Sequence, residues 1–310
     1  MSHNHTHLPD LTRQVTRRMA LSLVITLVFV VVEIITGLMS NSLALLTDAA
    51  HNFTDVLALG LSWFALQLAQ RPSHSGKTFG YHRAGILVAL FNSTTLVLIA
   101  LGIFYEAYRR FLSPPEVEAG LMVIVAVIAV IVNVVTALLI RRGSEHDLNI
   151  RAAFLHLMGD VLSTTGAVVA GVVILFTGAF WVDPLVSVFI GLLILWNAWG
   201  IIRESVDILM EATPADIDME AMIGDIQAVP GVRGVHDLHV WAINQSLRTL
   251  SAHLLTDDLP VSAGVSIQAA VTKMLREKHG VSHATLQLEC EGCMPADLYC
   301  DILANNHQPH

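Results

Sequence analysis

The sequence predicts a bundle of six membrane-spanning helices followed by a small water-soluble α+β domain. Three observations support this fold class. More than half of the 310 residues are hydrophobic and only 14% are charged, which is too apolar for an ordinary soluble domain. Six apolar runs in the first two thirds of the chain are long enough to cross a bilayer. From Val206 onward the chain becomes polar, with 14 acidic and 5 basic residues.

Each apolar run can form a helix that crosses about 30 Å of hydrocarbon. The first run begins too late, and is too long, for a cleavable signal peptide. The predicted spans are residues 19–39, 42–68, 84–108, 119–140, 150–176 and 184–202.

The connections between the spans predict their orientation, because Lys and Arg collect on the cytoplasmic side. Basic residues lie before the first span, between the second and third, and between the fourth and fifth, while the alternate connections contain none. Arg109 and Arg110, at the end of the third span, depart from this pattern. We therefore expect both termini in the cytoplasm and the protein in the inner (plasma) membrane. The three cysteines, all near the C-terminus, indicate a reduced compartment.

A His and an Asp four residues apart occur twice inside apolar sequence, as His51 and Asp55 in the second span and as His156 and Asp160 in the fifth. Residues at i and i+4 share a helix face. The two spans are predicted to be antiparallel, and a rise of about 1.5 Å per residue places both pairs near the middle of the bilayer. Two nitrogens and two oxygens form a tetrahedral set that suits a first-row divalent ion, zinc above all.

Other polar residues in the spans have simpler interpretations. A lone intramembrane His or Asp often forms only a hydrogen bond between helices, but a pair repeated at equal depth favours a shared metal site. Asp48, one turn toward the outside from His51, could line the exit path or accept hydrogen bonds near the helix start. Connections between helices, or positions at the membrane interface, are expected for Glu33, Glu106 and Asn133.

The C-terminal part predicts a helix at 218–228, strands at 232–242 and 247–255, a helix at 261–279 and a strand at 284–289. This order fits a small α+β sandwich of ferredoxin-like or metallochaperone-like type, with helices on one face of a sheet. The predicted organisation is an N-terminal tail at 1–18, a transmembrane domain at 19–206, a cytoplasmic regulatory domain at 207–290 and a C-terminal tail at 291–310.

Several candidate metal ligands lie in this soluble domain. Residues an odd number apart on a strand face opposite sides, so His236 and His239 are expected to have different surroundings. Metal ligation is the preferred interpretation of the Cys-x-x-Cys pair, because no thioredoxin-like strand-to-helix context surrounds it. The remaining candidates are His253, His283, Glu289, Cys290 and Cys293.

Two further groups of histidines give weaker signals. His3, His5 and His7 in the N-terminal tail are either incidental or collect metal weakly. His74 and His82 lie in the connection between the second and third spans, where a solvated loop is favoured over transient metal binding.

The six spans, the paired motifs, the sequence K-T-F-G-Y at 77–81 and the sequence H-D-L-H-V-W at 236–241 resemble the cation diffusion facilitator family, in particular its bacterial zinc efflux proteins. The resemblance covers nearly the whole chain. It implies a homodimeric metal/proton antiporter whose cytoplasmic domains bind further metal. It also implies a zinc-preferring transport site formed by His51, Asp55, His156 and Asp160.

The resemblance extends less completely to other positions. His236, His253 and Glu289 match positions that some relatives use for metal, whereas Gln287 stands where some relatives have a histidine. Cys290 and Cys293 look like tail cysteines that pair, in other relatives, with an N-terminal histidine segment. Arg83 and Glu211 match the positions of an interdomain ion pair.

The expected function is proton-coupled export of Zn²⁺, and of cobalt or cadmium as further substrates. Near neutral pH the carboxylates are ionised and the imidazoles largely neutral, so zinc binds on the cytoplasmic side, and protons compete for the imidazoles outside. The expected partners are a second copy of the chain, the lipid bilayer and divalent metal ions, but no nucleic acid.

Three alternatives remain at this point. A membrane-anchored metal sensor would bind zinc in its soluble domain without transporting it. A passive channel is disfavoured, because a complete tetrahedral site binds zinc too tightly for rapid passage. An enzyme is least expected, because catalytic zinc keeps an open position for water and no nucleophile accompanies these ligands.

Overall fold

The computed structural model describes residue 24 and residues 26–141 and 148–290, without the side chains of residues 59, 139–141 and 148–157. Of these described residues, those up to Phe64 and those within Val88–Ile202 form one compact unit, and those within Ala65–Leu87 and from Arg203 to Cys290 form the other. The described elements are α1 (Thr26–Ser40), α2 (Leu43–Ala69), α3 (Ala84–Leu112), α4 (Ala119–Arg141), α5 (Leu148–Thr177), α6 (Val182–Leu209), α7 (Met219–Gln227), β1 (Gly234–Ala242), β2 (Arg248–Leu255), α8 (Val261–His279) and β3 (Val281–Glu289).

The described helices α1 to α6 overlap the six predicted spans, and the predicted fold class is confirmed. Residues 19–23 and 25 of the first predicted span lie outside the described residues. Four of the described helices, α3 to α6, are long and apolar enough to cross a membrane by length and composition. Helix α2 has 27 residues, and its first half carries the polar residues of the first motif. Helix α6 continues beyond the predicted end at residue 202 and reaches Leu209.

The first turn of α2 is fixed by two hydrogen-bond acceptors. The hydroxyl of Ser42 accepts from the backbone N–H of Leu45 at 3.3 Å. The buried carboxylate of Asp183, in the first turn of α6, accepts from the backbone N–H groups of Leu43 and Ala44 at 2.7 and 3.2 Å, and from the Ser42 hydroxyl at 2.6 Å. The first N–H groups of a helix have no partner within the helix. These bonds therefore anchor the start of α2 to α6.

Arg110 joins this network from the end of α3. Its guanidinium donates to the backbone carbonyl and side-chain oxygen of Asn41 at 2.6 and 3.2 Å, and it lies 3.7 Å from Asp183. Glu106, one turn earlier, accepts from Arg110 Nε at 3.2 Å. Asn41 has a φ of 54°, a left-handed conformation that asparagine tolerates better than most residues. Arg110, which departs from the charge pattern of the connections, is therefore a buried structural residue.

Close contacts at glycines join α1 to α2 and α4 to α5. A Cβ at Gly37 of α1 would lie 2.9 Å from the Leu46 side chain of α2, and one at Gly171 of α5 would lie 2.7 Å from Val123 of α4. Small residues permit such close approach in membrane bundles. A buried apolar cluster joins α2, α4 and α5, and it includes Ala44, Leu45, Met122, Ala126, Ala167 and Ala170.

The soluble domain contains a three-stranded sheet in the order β1-β2-β3. Strands β1 and β2 are antiparallel, while β2 and β3 are parallel and are connected through α8. Strand β3 begins at Val281, before the predicted start, so His283 lies inside the strand and the prediction that it precedes the strand is wrong. The core between the sheet and helices α7 and α8 includes Met222, Ile226, Leu238, Val240, Leu250, Leu254, Val271 and Leu275.

The prediction that His236 and His239 face opposite sides of β1 is wrong, because the strand contains a β-bulge between them. His236 pairs with His253, and His239 pairs with Ser251. His253 and Ser251 are two residues apart on β2 and share a face, so the residues paired with them share that face too. The bulge inserts one extra residue into β1, and Asp237 within it has a φ of 48°.

Polar contacts join α7 to α8 at the surface. Helix α7 begins after Asp218, whose carboxylate accepts from the backbone N–H of Ala221 at 3.1 Å. Asp225 accepts from Lys278 at 2.6 Å and lies 3.0 Å from Nε2 of His279. The hydrogen bond from Lys278 is the main cause that lowers the pKa of Asp225 below its usual value. This contact is expected to stabilise the domain above the usual pKa of aspartate and to weaken as the pH falls through the lowered pKa.

We predict that Asp183→Ala lowers the free energy of unfolding by about 3 kcal/mol, because it leaves buried N–H groups of α2 without acceptors. The measurement is an equilibrium unfolding titration with sodium dodecyl sulfate on protein in a mild detergent. Asp207→Ala is the matched control, because Asp207 lies on the same helix and is exposed. Equal stability of the two variants would contradict the anchoring role of Asp183.

Candidate metal centres

The first candidate centre contains three ligand groups from two helices. His51 and Asp55 of α2 and Asp160 of α5 each offer one ligand atom, and these atoms lie within 4.8 Å of one another. Nε2 of His51 is 3.3 Å from Oδ1 of Asp160 and 3.6 Å from Oδ2 of Asp55. The structure thus brings together three of the four residues of the paired motifs.

Helix geometry explains this convergence. His51 and Asp55 are four residues apart on α2 and therefore point to the same side. Asp160 reaches them from α5, which the apolar cluster holds against α2. The side chains of His51 and Asp160 are 11% and 8% exposed, whereas that of Asp55 is 26% exposed. Asp55 is therefore the most accessible of the three ligands.

The fourth predicted ligand, His156, lies on α5 one helical turn before Asp160. Its side chain is outside the described part of the structure. Its contribution to the centre therefore stays a prediction.

Polar groups of α5 contact Asp48, which lies one turn before His51. The Asp48 carboxylate is fully buried and accepts from the hydroxyl of Thr164 at 3.0 Å and from that of Ser163 at 3.4 Å. Oγ1 of Thr164 also lies 2.8 Å from the backbone carbonyl of Asp160 and accepts from the Asn133 amide at 3.4 Å. Asp48 is thus linked to the helix that carries Asp160, and Asn133 connects α4 to α5.

The second candidate centre lies in the soluble domain, on the side of the sheet opposite the apolar core. Ligand atoms of His236, His253 and Glu289 lie within 4.8 Å of one another. One carboxylate oxygen of Glu289 is 2.9 Å from Nε2 of His236, and the other is 2.9 Å from Nδ1 of His253. Two nitrogens and one carboxylate oxygen form a donor set that zinc accepts, with room for a fourth ligand.

Two further residues extend this centre, and one of them, Asp237, was missed in the sequence. The Asp237 carboxylate lies 3.0 Å from Nε2 of His239 and 3.5 Å from Nε2 of His253. Gln287 pairs with His253 across β2 and β3, and its amide donates to Glu289 at 2.9 Å. The only signal for Asp237 in the sequence is an acidic residue next to a histidine, which does not show that a bulge turns it toward β2.

Other predicted ligands are not brought to this centre. His283 pairs with Thr249 at the other end of β3, and its ring packs edge-on against Phe79 with 6.0 Å between the ring centroids. Cys290 is exposed and follows Glu289 at the end of the strand. Cys293, together with the N-terminal histidines at 3, 5 and 7, lies outside the described residues.

His74, in the connection between α2 and α3, has a structural role. Nδ1 of His74 accepts from the backbone N–H of Gly76 at 3.2 Å, and Nε2 lies 3.3 Å from the Tyr81 hydroxyl. Both ring nitrogens therefore take part in the local fold of the loop. Arg83, at the end of this loop, forms the ion pair with Glu211 suggested by the family resemblance, with 3.0 Å between nitrogen and oxygen.

Comparisons with known proteins match both parts of the chain. The profile of the cation efflux transmembrane domain matches residues 19–210, and that of the cytoplasmic domain of cation efflux proteins matches residues 214–291. A solved structure titled as the metal-bound C-terminal domain of the CzcD transporter from Cupriavidus metallidurans is 30% identical and covers 24% of this chain and 99% of its own, with a TM-score of 0.22.

Three curated relatives span nearly the full length. A protein of Bacillus velezensis named cadmium, cobalt and zinc/H(+)-K(+) antiporter is 37% identical over 292 residues, which are 93% of this chain and 92% of the relative. The metal cation efflux system protein CzcD of Cupriavidus metallidurans is 36% identical over 295 residues, with 95% and 92% covered. The zinc transporter ZitB of Escherichia coli is 35% identical over 314 residues, with 100% and 98% covered. The family predicted from the sequence motifs is confirmed, and the chain belongs to the cation efflux family of membrane transporters.

Proposed function

We propose that this protein is a proton-coupled antiporter that exports Zn²⁺ from the cytoplasm through the first centre. One observation carries the proposal: ligand atoms of His51, Asp55 and Asp160 converge within 4.8 Å in a bundle of apolar helices. Charged groups in membrane helices are costly and typically mark an ion pathway. His156, at the matching position on α5, is the proposed fourth ligand.

The chemistry of the ligands supports zinc as the substrate. Imidazole nitrogens and carboxylate oxygens in a four-ligand set suit Zn²⁺, whereas Mg²⁺ and Ca²⁺ prefer oxygen ligands alone. Two of the three relatives described above are named for zinc, and the Bacillus velezensis protein is also named for cadmium and cobalt. Because cobalt and cadmium form related complexes with nitrogen and oxygen, we propose them as further substrates.

Protons are the proposed counter-ion because they compete with zinc for the same atoms. Zinc binds the lone pair of a neutral imidazole nitrogen, and a proton on that nitrogen blocks binding. Nε2 of His51 faces the carboxylates of Asp55 and Asp160, so a proton there would be stabilised by both. Zinc binding from the cytoplasm would release the proton, and protonation from the outside would release the zinc.

The proposed arrangement is a homodimer in the inner membrane with both termini in the cytoplasm. We propose a transmembrane domain at 19–206 and a regulatory domain at 207–290, and the family profiles that match residues 19–210 and 214–291 support this division. The second centre is proposed to bind regulatory zinc. Bound zinc would offset the repulsion between the acidic soluble domains of the two protomers.

We predict that His51→Ala and Asp160→Ala each reduce zinc uptake by about 100-fold or more. Loss of a group that only orients a metal ligand lowers affinity or activity by up to about 100-fold, and loss of the ligand itself should have at least that effect. The measurement uses inside-out proteoliposomes with an acidic lumen and a zinc-sensitive dye. The native protein is expected to transport faster as the lumen becomes more acidic.

His74→Ala is the matched control for this experiment, because His74 is exposed and its ring nitrogens serve the loop. It is expected to retain uptake. If His51→Ala and Asp160→Ala transport as well as the control, the first centre is only a contact between helices. Native flux that ignores the pH gradient would instead indicate a channel.

For the second centre, we predict that Glu289→Gln weakens zinc binding to the soluble domain by about 10-fold or more, because Glu289 offers the carboxylate that lies between both histidines. Isothermal titration calorimetry of the full-length protein in detergent should then show the loss of one class of binding sites.

Glu277→Gln is the control for this prediction, because Glu277 is an exposed residue of α8. An unchanged titration curve for Glu289→Gln would remove the second centre from the proposal. A protein that loses zinc tolerance only through Glu289→Gln, and not through His51→Ala, would be a membrane-anchored sensor.

A further inference from the structure

Glu33 is a fully buried acidic residue that the first centre does not use. It lies on α1, and its Oε2 accepts a hydrogen bond from the side-chain amide of Asn52 on α2 at 3.3 Å. Its Oε1 is also buried and receives no hydrogen bond from any residue that the structure describes. A buried carboxylate oxygen without a donor is unfavourable. This oxygen therefore indicates a ligand, and the smallest ligand is a proton.

The neighbour of Glu33 is a second buried acid. The carboxyl groups of Glu33 and Asp48, on α1 and α2, interact electrostatically, and each disfavours ionisation of both together. Among the described residues, Asp48 is the charged group and Asn52 the polar group that interact with Glu33. Asp48 in turn interacts with His51, which favours its ionised form, and with Asp160, which opposes it. Two adjacent carboxylates in a low-dielectric interior cannot both be ionised, so such pairs share a proton. A shared proton would also supply the donor that Glu33 Oε1 lacks.

A chain of contacts connects this pair to the first centre. Asp48 accepts from the hydroxyl of Thr164, and the same hydroxyl oxygen lies 2.8 Å from the backbone carbonyl of Asp160. Asn52, which donates to Glu33, directly follows His51 in α2. A doubly charged ion between His51 and Asp160 would therefore favour the ionised form of the nearby acid pair and expel its proton.

We propose that Glu33 carries a proton of the transport cycle, bound at Oε1 and shared with Asp48, which is released when a divalent cation occupies the first centre. This inference rests on the proposed antiport for its role in the cycle. The step is a simple acid dissociation: the O–H bond breaks, the electron pair stays on the carboxylate, and the proton leaves to water. Glu33 would thus be a proton carrier separate from the metal ligands.

The experiment measures the proton directly in the full-length protein in detergent. Infrared difference spectra between zinc-free and zinc-bound protein should show the loss of a protonated-carboxyl C=O band that shifts in D₂O. Glu33→Gln should abolish this band, and a pH-sensitive dye in weak buffer should show about one proton fewer released per zinc ion. Glu33→Asp should retain the band at a changed frequency, which assigns it to residue 33.

Glu118→Gln is the matched control, because Glu118 is an exposed acid in the connection between α3 and α4. It should leave both the band and the proton count unchanged. The proposal is overturned if native protein loses no carboxyl band on zinc binding, or if the band is unaffected by both Glu33→Gln and Glu33→Asp. If Glu33→Gln does not fold, the native spectrum and Glu33→Asp still decide the question.

The outcomes also separate this proposal from the proposed function. If the native protein loses the Glu33 band on zinc binding but zinc flux does not follow the pH gradient, the assignment of the proton to Glu33 is supported and proton-coupled antiport is contradicted. If flux follows the gradient while Glu33→Gln releases as many protons as the native protein, the antiport stands. Glu33 is then a permanently neutral contact between α1 and α2.

Discussion

The contact between His51 and Asp160 is the interaction on which the membrane domain depends. An isolated imidazolium or carboxylate in hydrocarbon is costly, and helices that carry one must bury it against a partner. Here the two groups approach to 3.3 Å across the interface between α2 and α5. This distance requires α2 to be fixed along its axis, because one helical turn corresponds to about 5.4 Å. The bonds from Asp183 to the first turn of α2 supply that constraint.

Helix α2 therefore needs two kinds of side chain at once, apolar ones toward the lipid and polar ones toward the metal ligands. It must be apolar toward the lipid and polar along one stripe, where Asp48, His51 and Asp55 follow one another at helical spacing. Polar residues of α1 and α5 interact with this stripe: Thr164 of α5 donates a hydrogen bond to Asp48, and Glu33 of α1 interacts with the same carboxylate. The remaining faces of α2 are rich in Leu and Ala, so one helix carries both the lipid-facing surface and the polar stripe.

The sequence predicted the elements that depend on local rules. The span lengths, the helical spacing of the two His-Asp pairs and the position of α8 all follow from periodicity and composition. The bulge of β1 could not be predicted in this way. A single left-handed residue, Asp237, places His239 on the same side of the strand as His236, whereas regular alternation predicts opposite sides. Strand alternation assumes regular backbone, and an aspartate can adopt a positive φ without leaving any other mark in the sequence.

Glu33 shows the same limit for side-chain networks. Its position inside a span indicated an interhelical contact, and the structure does place it against Asn52. Nothing in the sequence showed that its nearest charged neighbour would be another acid, since Glu33 and Asp48 lie on different helices. Pairing between helices depends on their rotation and depth, which packing at positions such as Gly37 determines. Such information is non-local and needs the folded structure.

Charge balance provides the physical link between metal and proton in the proposed cycle. Asp55 and Asp160 carry two negative charges when ionised, and a divalent ion between them with neutral imidazoles gives a nearly neutral site. Removal of the ion would leave two uncompensated carboxylates in a low-dielectric interior, which is unfavourable unless other positive charge enters. Protons on His51 and its neighbours are the smallest such charge and bind the same atoms. The proposed exchange of metal for protons would therefore keep these buried ligands close to neutral.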